Sequence, residues 1–168
     1  LACDIVRSFD FRNVRRVLEP SCGDGSFIEA LLGHILHILN QSEAQSVQPL
    51  NTGRALVGIE LDSGLFDRCR HIAASVCEGA TQCSCDFFHA DFLRMFTERR
   101  IRTSADGHAN PLAEKFDLIT GNPPFGGSFD PEIEDELDAL LGKRYGYKIK
   151  KETYAFFIVA CTELLRPG

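Results

Sequence analysis

Asn122-Pro123-Pro124-Phe125 brings together an amide side chain, two prolines and an aromatic ring. It follows an apolar run, Phe116-Asp117-Leu118-Ile119-Thr120-Gly121, that reads as a buried strand. Each proline fixes its own φ and drives the residue before it into extended backbone, so the stretch forms a rigid corner at the strand's C-terminal end. The amide gives that corner a polar tip and the ring gives it a flat face. Such equipment suits a planar, amine-bearing substrate. Taken alone, the four residues are equally an ordinary turn.

Three stretches upstream change its weight. Glu19-Pro20-Ser21-Cys22-Gly23-Asp24-Gly25-Ser26-Phe27 joins a short strand to a helix. Gly23 and Gly25 allow a tight turn and a close approach of backbone to ligand. The helix start offers free N–H groups. The spacing is not G-x-G-x-x-G, and Glu19 and Asp24 make the loop acidic. Both features disfavour a pyrophosphate and favour a cationic ligand; the alternative is a plain turn between strand and helix. In Gly58-Ile59-Glu60-Leu61-Asp62, Glu60 ends a second strand. A carboxylate there can accept both hydrogen bonds of a ribose diol, or it can be an exposed or capping acid. In Ala90-Asp91-Phe92-Leu93, Asp91 can accept from an exocyclic amine and Phe92 can pack on a purine. The competing role is a helix cap followed by a core phenylalanine. Together the stretches provide a loop for a cationic amino-acid end, an acid for ribose, an acid and a ring for adenine, and a reactive corner. S-adenosylmethionine has those parts in that order.

The elements that must position these residues follow from the apolar pattern. Arg16–Glu19, Ala55–Glu60, Cys85–Phe88 and Phe116–Thr120 read as strands. Ser26–Leu39 carries a helical stripe at 27, 28, 31, 32, 35, 36, 38 and 39. Asn40–Thr52 is polar and reads as a loop. Ser63–Cys77 reads as a helix with Ser63 or Asp62 as its cap, and Leu93–Ile101 as a short helix. Residues 130–138 hold six acids on what reads as a solvated helix face. Thr153–Leu165 is an apolar helix. Strands alternating with helices argue for an α/β fold, a mainly parallel sheet covered on both faces. Right-handed crossovers then bring all four stretches to one sheet edge, at the strand C-termini.

The chain has 168 residues, 44% of them apolar and 25% charged, enough for one domain with a core. No run reaches the length of a membrane span, and the N-terminus is not a signal peptide. The seven cysteines (3, 22, 69, 77, 83, 85, 161) read as reduced thiols of a cytoplasmic protein. Cys69, Cys77, Cys83, Cys85 and His89 lack a paired C-x2-C spacing, so no metal site is expected. The net charge of −6 is unlike that of a domain holding nucleic acid by itself. Lys143, Arg144, Lys148, Lys150 and Lys151, with Tyr145 and Tyr147 interleaved, are the local candidates for phosphate contact; a solvated basic helix end is the alternative.

The set Glu19–Phe27, Gly58–Asp62, Ala90–Leu93 and Thr120–Gly126 resembles the S-adenosylmethionine-dependent amino-methyltransferases of DNA, above all the N6-adenine enzymes of restriction–modification systems. Cofactor motifs before the catalytic motif resemble their gamma arrangement. Tyr154-Ala155-Phe156-Phe157 and Leu164-Leu165-Arg166-Pro167-Gly168 are similar to the helix and turn that follow. The resemblance implies a Rossmann-like class I methyltransferase core across residues 1–168. It further implies that Glu19, Pro20, Ser21, Cys22, Gly23 and Gly25 hold the methionine end. Glu60, with Leu61, would bind the ribose, and Asp91 and Phe92 the adenine. Asn122 and the Pro123 carbonyl would accept from the target amine, Pro124 would stiffen the corner, and Phe125 would stack on a flipped adenine of duplex DNA. A restriction endonuclease is the partner such a system implies. The family's upstream segment, later strands and target-recognition domain have no counterpart here, so a partial catalytic domain ending after the fourth strand and its helix is expected. Two readings compete: methyl transfer to RNA or to a protein glutamine amide, and a non-catalytic cofactor-binding or DNA-specificity subunit.

Overall fold

The computed structural model describes residues 1–11, 13–44, 54–78, 83–99, 110–126, 131–146 and 152–167. Four strands form one parallel sheet: β1 (Arg16–Glu19), β2 (Arg54–Glu60), β3 (Cys83–His89) and β4 (Leu118–Ile119), in the order β3-β2-β1-β4. Register runs Leu18↔Val57 between β1 and β2, Glu60↔His89 between β2 and β3, and Leu18↔Ile119 between β1 and β4. The chain leaves β1 in one direction for β2 and in the other for β4. The C-terminal edge beside β1 is therefore the topological switch point where α/β sheets open a crevice.

Alternation along the strands sends side chains to two separate cores. On one face Val17, Leu56 and Leu118 pack with Val6 of α1 (Ala2–Arg7), Ile28, Leu31, Leu32 and Ile35 of α2 (Ser26–Ala44), and Cys69 and Ala73 of α3 (Ser63–Val76). On the other, Leu18, Val57 and Ile59 pack with α4 (Phe92–Glu98), α5 (Pro131–Tyr145) and α6 (Thr153–Leu164) through Phe96, Leu137, Phe156 and Ala160. Both faces of the sheet are thus covered, as the unbroken apolar strands require.

The elements differ from the sequence pattern in a few places. Helix α2 continues through Asn40 to Ala44, where the polar composition suggested a loop. Strand β4 is only Leu118–Ile119. Backbone bonds from Asp117 N to Arg16 O and from Thr120 N to Leu18 O extend its pairing, and Phe116 bridges to Leu165. Of the two candidate caps for α3 it is Asp62 that serves, as expected, its carboxylate accepting from Leu65 N at 2.9 Å. Lys148, Lys150, Lys151, Tyr147 and the side chains of Lys143 and Tyr145 lie outside the described residues. Arg144 is tied inward, its Nε 2.8 Å from the buried carboxylate of Glu163. No helix among the described residues is long and apolar enough to cross a membrane.

Candidate active site

The β1–α2 connection turns sharply at Gly23 and Gly25, whose φ of 54° and 85° lie in the left-handed region that favours glycine. Gly25 N–H donates to Cys22 O, and Asp24 accepts from the N–H and hydroxyl of Ser26 to start α2. Those two bonds hold the exposed Asp24 carboxyl below the usual carboxylate range. The loop is also pinned from across the sheet. Glu60 Oε2 accepts from Gly23 N at 2.7 Å and Oε1 from Asp62 N at 2.9 Å. Each carboxylate oxygen retains a second acceptor site. Glu60 thus braces the glycine turn while lining the cleft, a role its place in the sequence does not reveal.

Asp91 ends the β3–α4 connection. Its Oδ1 accepts from Leu93 N and Arg94 N, capping α4. Phe92 is buried, with its ring 4.9 Å from that of Phe157. The capping and core roles weighed for Asp91 and Phe92 are therefore filled, and both residues also line the cleft. His89, the last residue of β3, sits with Nε2 2.9 Å from Leu61 O and its ring stacked on Phe66.

The corner at 122–125 meets the glycine loop directly: Ser21 Oγ donates to the Asn122 carbonyl at 3.2 Å. Asn122 is exposed, and the Phe125 ring is 79% exposed at the rim. Between the corner, the glycine loop and the ends of β2 and β3 lies a cleft of about 610 Å³, within the size range of small-molecule sites. Pro20, Ser21, Gly23, Glu60, Leu61, Asp91, Phe92, Asn122 and Pro124 of the expected set line it, joined by Asp62 and by Thr153 and Phe157 of α6, to which no cleft role was assigned from the sequence. Thr153 escaped because α6 is remote in sequence and its only signal was the apolar helix following the corner, whereas Phe157 lies in the Tyr154-Ala155-Phe156-Phe157 stretch that the resemblance covers.

Glu19, Cys22 and Gly25 are not in that lining. Glu19 is fully buried beneath the corner. Its Oε1 accepts from Ser21 N at 3.3 Å, and its Oε2 has no partner among the described residues. Burial pushes its carboxyl well above the carboxylate range; the Ser21 N–H opposes the rise and nearby Glu60 adds to it. Cys22 packs into the α2–α3 core, and burial drives its thiol upward, so it stays protonated. Burial, with Glu19 nearby, likewise pushes Cys161 up to about 12. Gly25 faces Ile72 of α3. Pro123 turns the other way, toward a cleft of about 340 Å³ that includes Thr120, Ile158 and Cys161. No group of three or more His, Cys, Asp or Glu among the described residues is placed to hold a metal.

Residues 75–168 match the family described as Eco57I restriction-modification methylase. The chain belongs to this family. It is 30% identical over 159 residues to the Type II methyltransferase M.TthHB8I of Thermus thermophilus, covering 91% of this chain and 27% of that protein. The chain therefore spans about a quarter of that relative's length. Its fold matches a solved Listeria monocytogenes protein described as a class I S-adenosylmethionine-dependent methyltransferase, with a TM-score of 0.56 at 16% identity over 98% of this chain and 40% of that one. It also matches the ATP-dependent Type ISP restriction-modification enzyme LlaBIII, solved bound to DNA, with a TM-score of 0.52 at 13% identity over 89% of this chain and 12% of that one. The fold is thus the Rossmann-like class I methyltransferase core that the motif set implies.

The cofactor of this fold and family is S-adenosylmethionine, and the cleft fits it. Three carboxylates line it, and among the described residues no Lys, Arg or His does. That charge favours a sulfonium and an ammonium and repels a pyrophosphate. The Phe92–Phe157 floor gives a flat ring an apolar seat. Gly23 leaves the backbone open to a ligand, since a side chain there would meet only Ser21 O at 3.9 Å.

Proposed function

We propose that this chain is the catalytic core of a DNA methyltransferase that moves a methyl group from S-adenosylmethionine to the N6 amine of a flipped-out adenine. The single observation that carries the reading is the Ser21–Asn122 hydrogen bond, which locks the acceptor-bearing corner against the glycine loop of the cofactor cleft. When bound, S-adenosylmethionine supplies an electrophilic methyl group whose sulfur leaves as a neutral thioether.

Everything else falls to the chain's own residues. The 21–25 loop holds the methionine end, Glu60 the ribose hydroxyls, and Asp91 the cofactor's adenine amine, with Phe92 beneath the ring. Asn122 Oδ1 and the Pro123 carbonyl accept the two N–H bonds of the target amine. An adenine amine is a poor nucleophile because its lone pair is delocalised into the ring. Two fixed acceptors draw the nitrogen toward tetrahedral geometry and stabilise the positive charge that grows as N–C forms and C–S breaks. The proton is then released to water. No strong base is needed, since alignment of amine, methyl and sulfur supplies much of the rate. An adenine stacked in a duplex cannot reach the corner, so it must be extruded, and the exposed Phe125 ring offers the face that receives it.

Residues 1–168 form the methyltransferase domain in this reading, and a cognate endonuclease is the natural partner of the whole protein. Transfer of a labelled methyl group to unmethylated plasmid DNA, to ribosomal RNA and to a release-factor protein separates the substrate classes. Label in DNA, recovered as N6-methyladenine after digestion, is the expected result. Label only in RNA or protein, or in no substrate, overturns the proposal.

A further inference from the structure

Phe125 stands out at the cleft rim because its ring is 79% exposed. Among the described residues the one ring beside it is Tyr154, with centroids 6.2 Å apart and planes tilted by 39°. The preceding residue adds a second tie. Thr153 Oγ1 donates to Gly126 O, a long bond at 3.4 Å. Thr153 and Tyr154 are the first two residues of α6, whose next turns are anchored in the core by the buried Phe156 and Phe157. The start of a fixed helix therefore clasps both residues that follow Pro124.

We infer that Tyr154 is a positioning residue that, with Thr153, presets the Phe125 ring in the pose that receives the flipped base. The inference rests on the proposed function and deepens it. Tyr154 is not in the cofactor cleft lining, whereas Thr153 and Phe157 are. Its ring meets Phe125 outside that lining. A ring free to rotate must be ordered each time a base arrives, and that cost falls on the DNA step. A ring already braced by an edge or a face does not carry it. The 6.2 Å centroid separation lies within the range of favourable aromatic pairs. The brace acts through the ring, so phenylalanine is expected to serve as well as tyrosine.

The test uses the intact protein with unmethylated plasmid DNA, whose methylated sites are first mapped by sequencing. Duplexes carrying 2-aminopurine at the mapped adenine then report extrusion by fluorescence. Tyr154→Leu is expected to lower kcat/KM for DNA by about three- to tenfold, the worth of one aromatic pair, and to weaken the fluorescence rise. Cofactor affinity by calorimetry stays unchanged. Tyr154→Phe restores both readouts, and Thr153→Val gives a smaller loss in the same direction. If Tyr154→Phe fails as badly as Tyr154→Leu, or if cofactor affinity falls with DNA turnover, Tyr154 does not act through Phe125. Equal turnover by all variants overturns the clasp while leaving the proposed function standing. A wild-type protein that methylates no DNA removes the function on which the clasp rests.

Discussion

Gly121 offers the sharpest test of how the corner is supported. It lies between Thr120, whose N–H still belongs to the sheet, and Asn122, and it packs on the buried carboxyl of Glu19. A methyl group placed on Gly121 would lie 2.7 Å from Glu19 Cδ and 2.8 Å from Oε2, and nearer still to Oε1. Ordinary carbon contacts begin near about 3.5 Å, so the overlap is close to an ångström. Glu19 is fully buried, so it cannot swing into solvent to make room. Either the carboxyl is displaced within a packed interior or the 121–125 backbone lifts. Overpacking of this kind costs about 1–3 kcal/mol, and Gly121→Ala is expected to lose that much in urea denaturation. If the strain is relieved by lifting the corner, methyl transfer falls by a larger factor than stability does. Removing the obstacle must reverse the effect. In the double variant Glu19→Ala, Gly121→Ala, the coupling between the two sites is expected at about 1–3 kcal/mol in the rescuing direction. Gly33→Ala, on α2 with nothing within 4 Å of the new methyl, serves as the control. A helical site of that kind gains up to about 1 kcal/mol from alanine. A Gly121→Ala variant within 0.5 kcal/mol of wild type, on the scale of an ordinary surface change (about ±0.5 kcal/mol), refutes the reasoning, as does a double variant whose losses merely add.

Glu19 itself gives a pH signature. Its carboxyl is raised by burial, so the folded chain keeps a proton that the unfolded chain has released above the ordinary value of 4.5. Its contribution to stability is whole below that pH and is lost as pH rises through the folded value. Thermal melts from pH 4 to 8 are expected to show Glu19→Gln gaining on wild type as pH rises; parallel curves exclude a retained proton. Glu60→Ala removes the acceptor of Gly23 N and is expected to weaken cofactor binding by about ten- to a hundredfold, as for lost hydrogen bonds to a charged group. Calorimetry checks it, and an unchanged affinity overturns both the ribose and the bracing roles. Asn122→Ala is expected to abolish methyl transfer with little change in cofactor affinity, because in the proposed mechanism its side chain serves the target amine; unchanged turnover removes it from the mechanism.

Much of this was legible without the fold. Proline chemistry, strand-length apolar runs and the stripe of α2 are local, and local rules placed the four strands, the helices and the corner in the right order. Capping was legible too, since Asp62 and Asp91 stand where a helix must begin. The long-range facts were not. Glu19 belongs to an acidic loop in sequence and to a buried floor in space, because Gly121, a hundred residues away, closes over it. Glu60 carries an acceptor's chemistry in any context, yet its brace on Gly23 exists only because β1 and β2 lie side by side in register. The helical extension through Asn40 to Ala44 was hidden by polar composition, which marks exposure as readily as it marks a loop.

The division follows from where each interaction acts. Residue types and spacing by themselves determined the kind of chemistry available: an amide-bearing rigid corner, an acidic glycine turn, and carboxylates at strand ends. They also determined that these would share one sheet edge, since parallel strands joined by right-handed crossovers leave no other arrangement. Tertiary structure alone decided which of those groups face the cleft and which lie under it, because burial and register depend on partners far along the chain. It put Ser21 on Asn122 and Tyr154 on Phe125, two contacts joining the cofactor loop and the start of α6 to the corner.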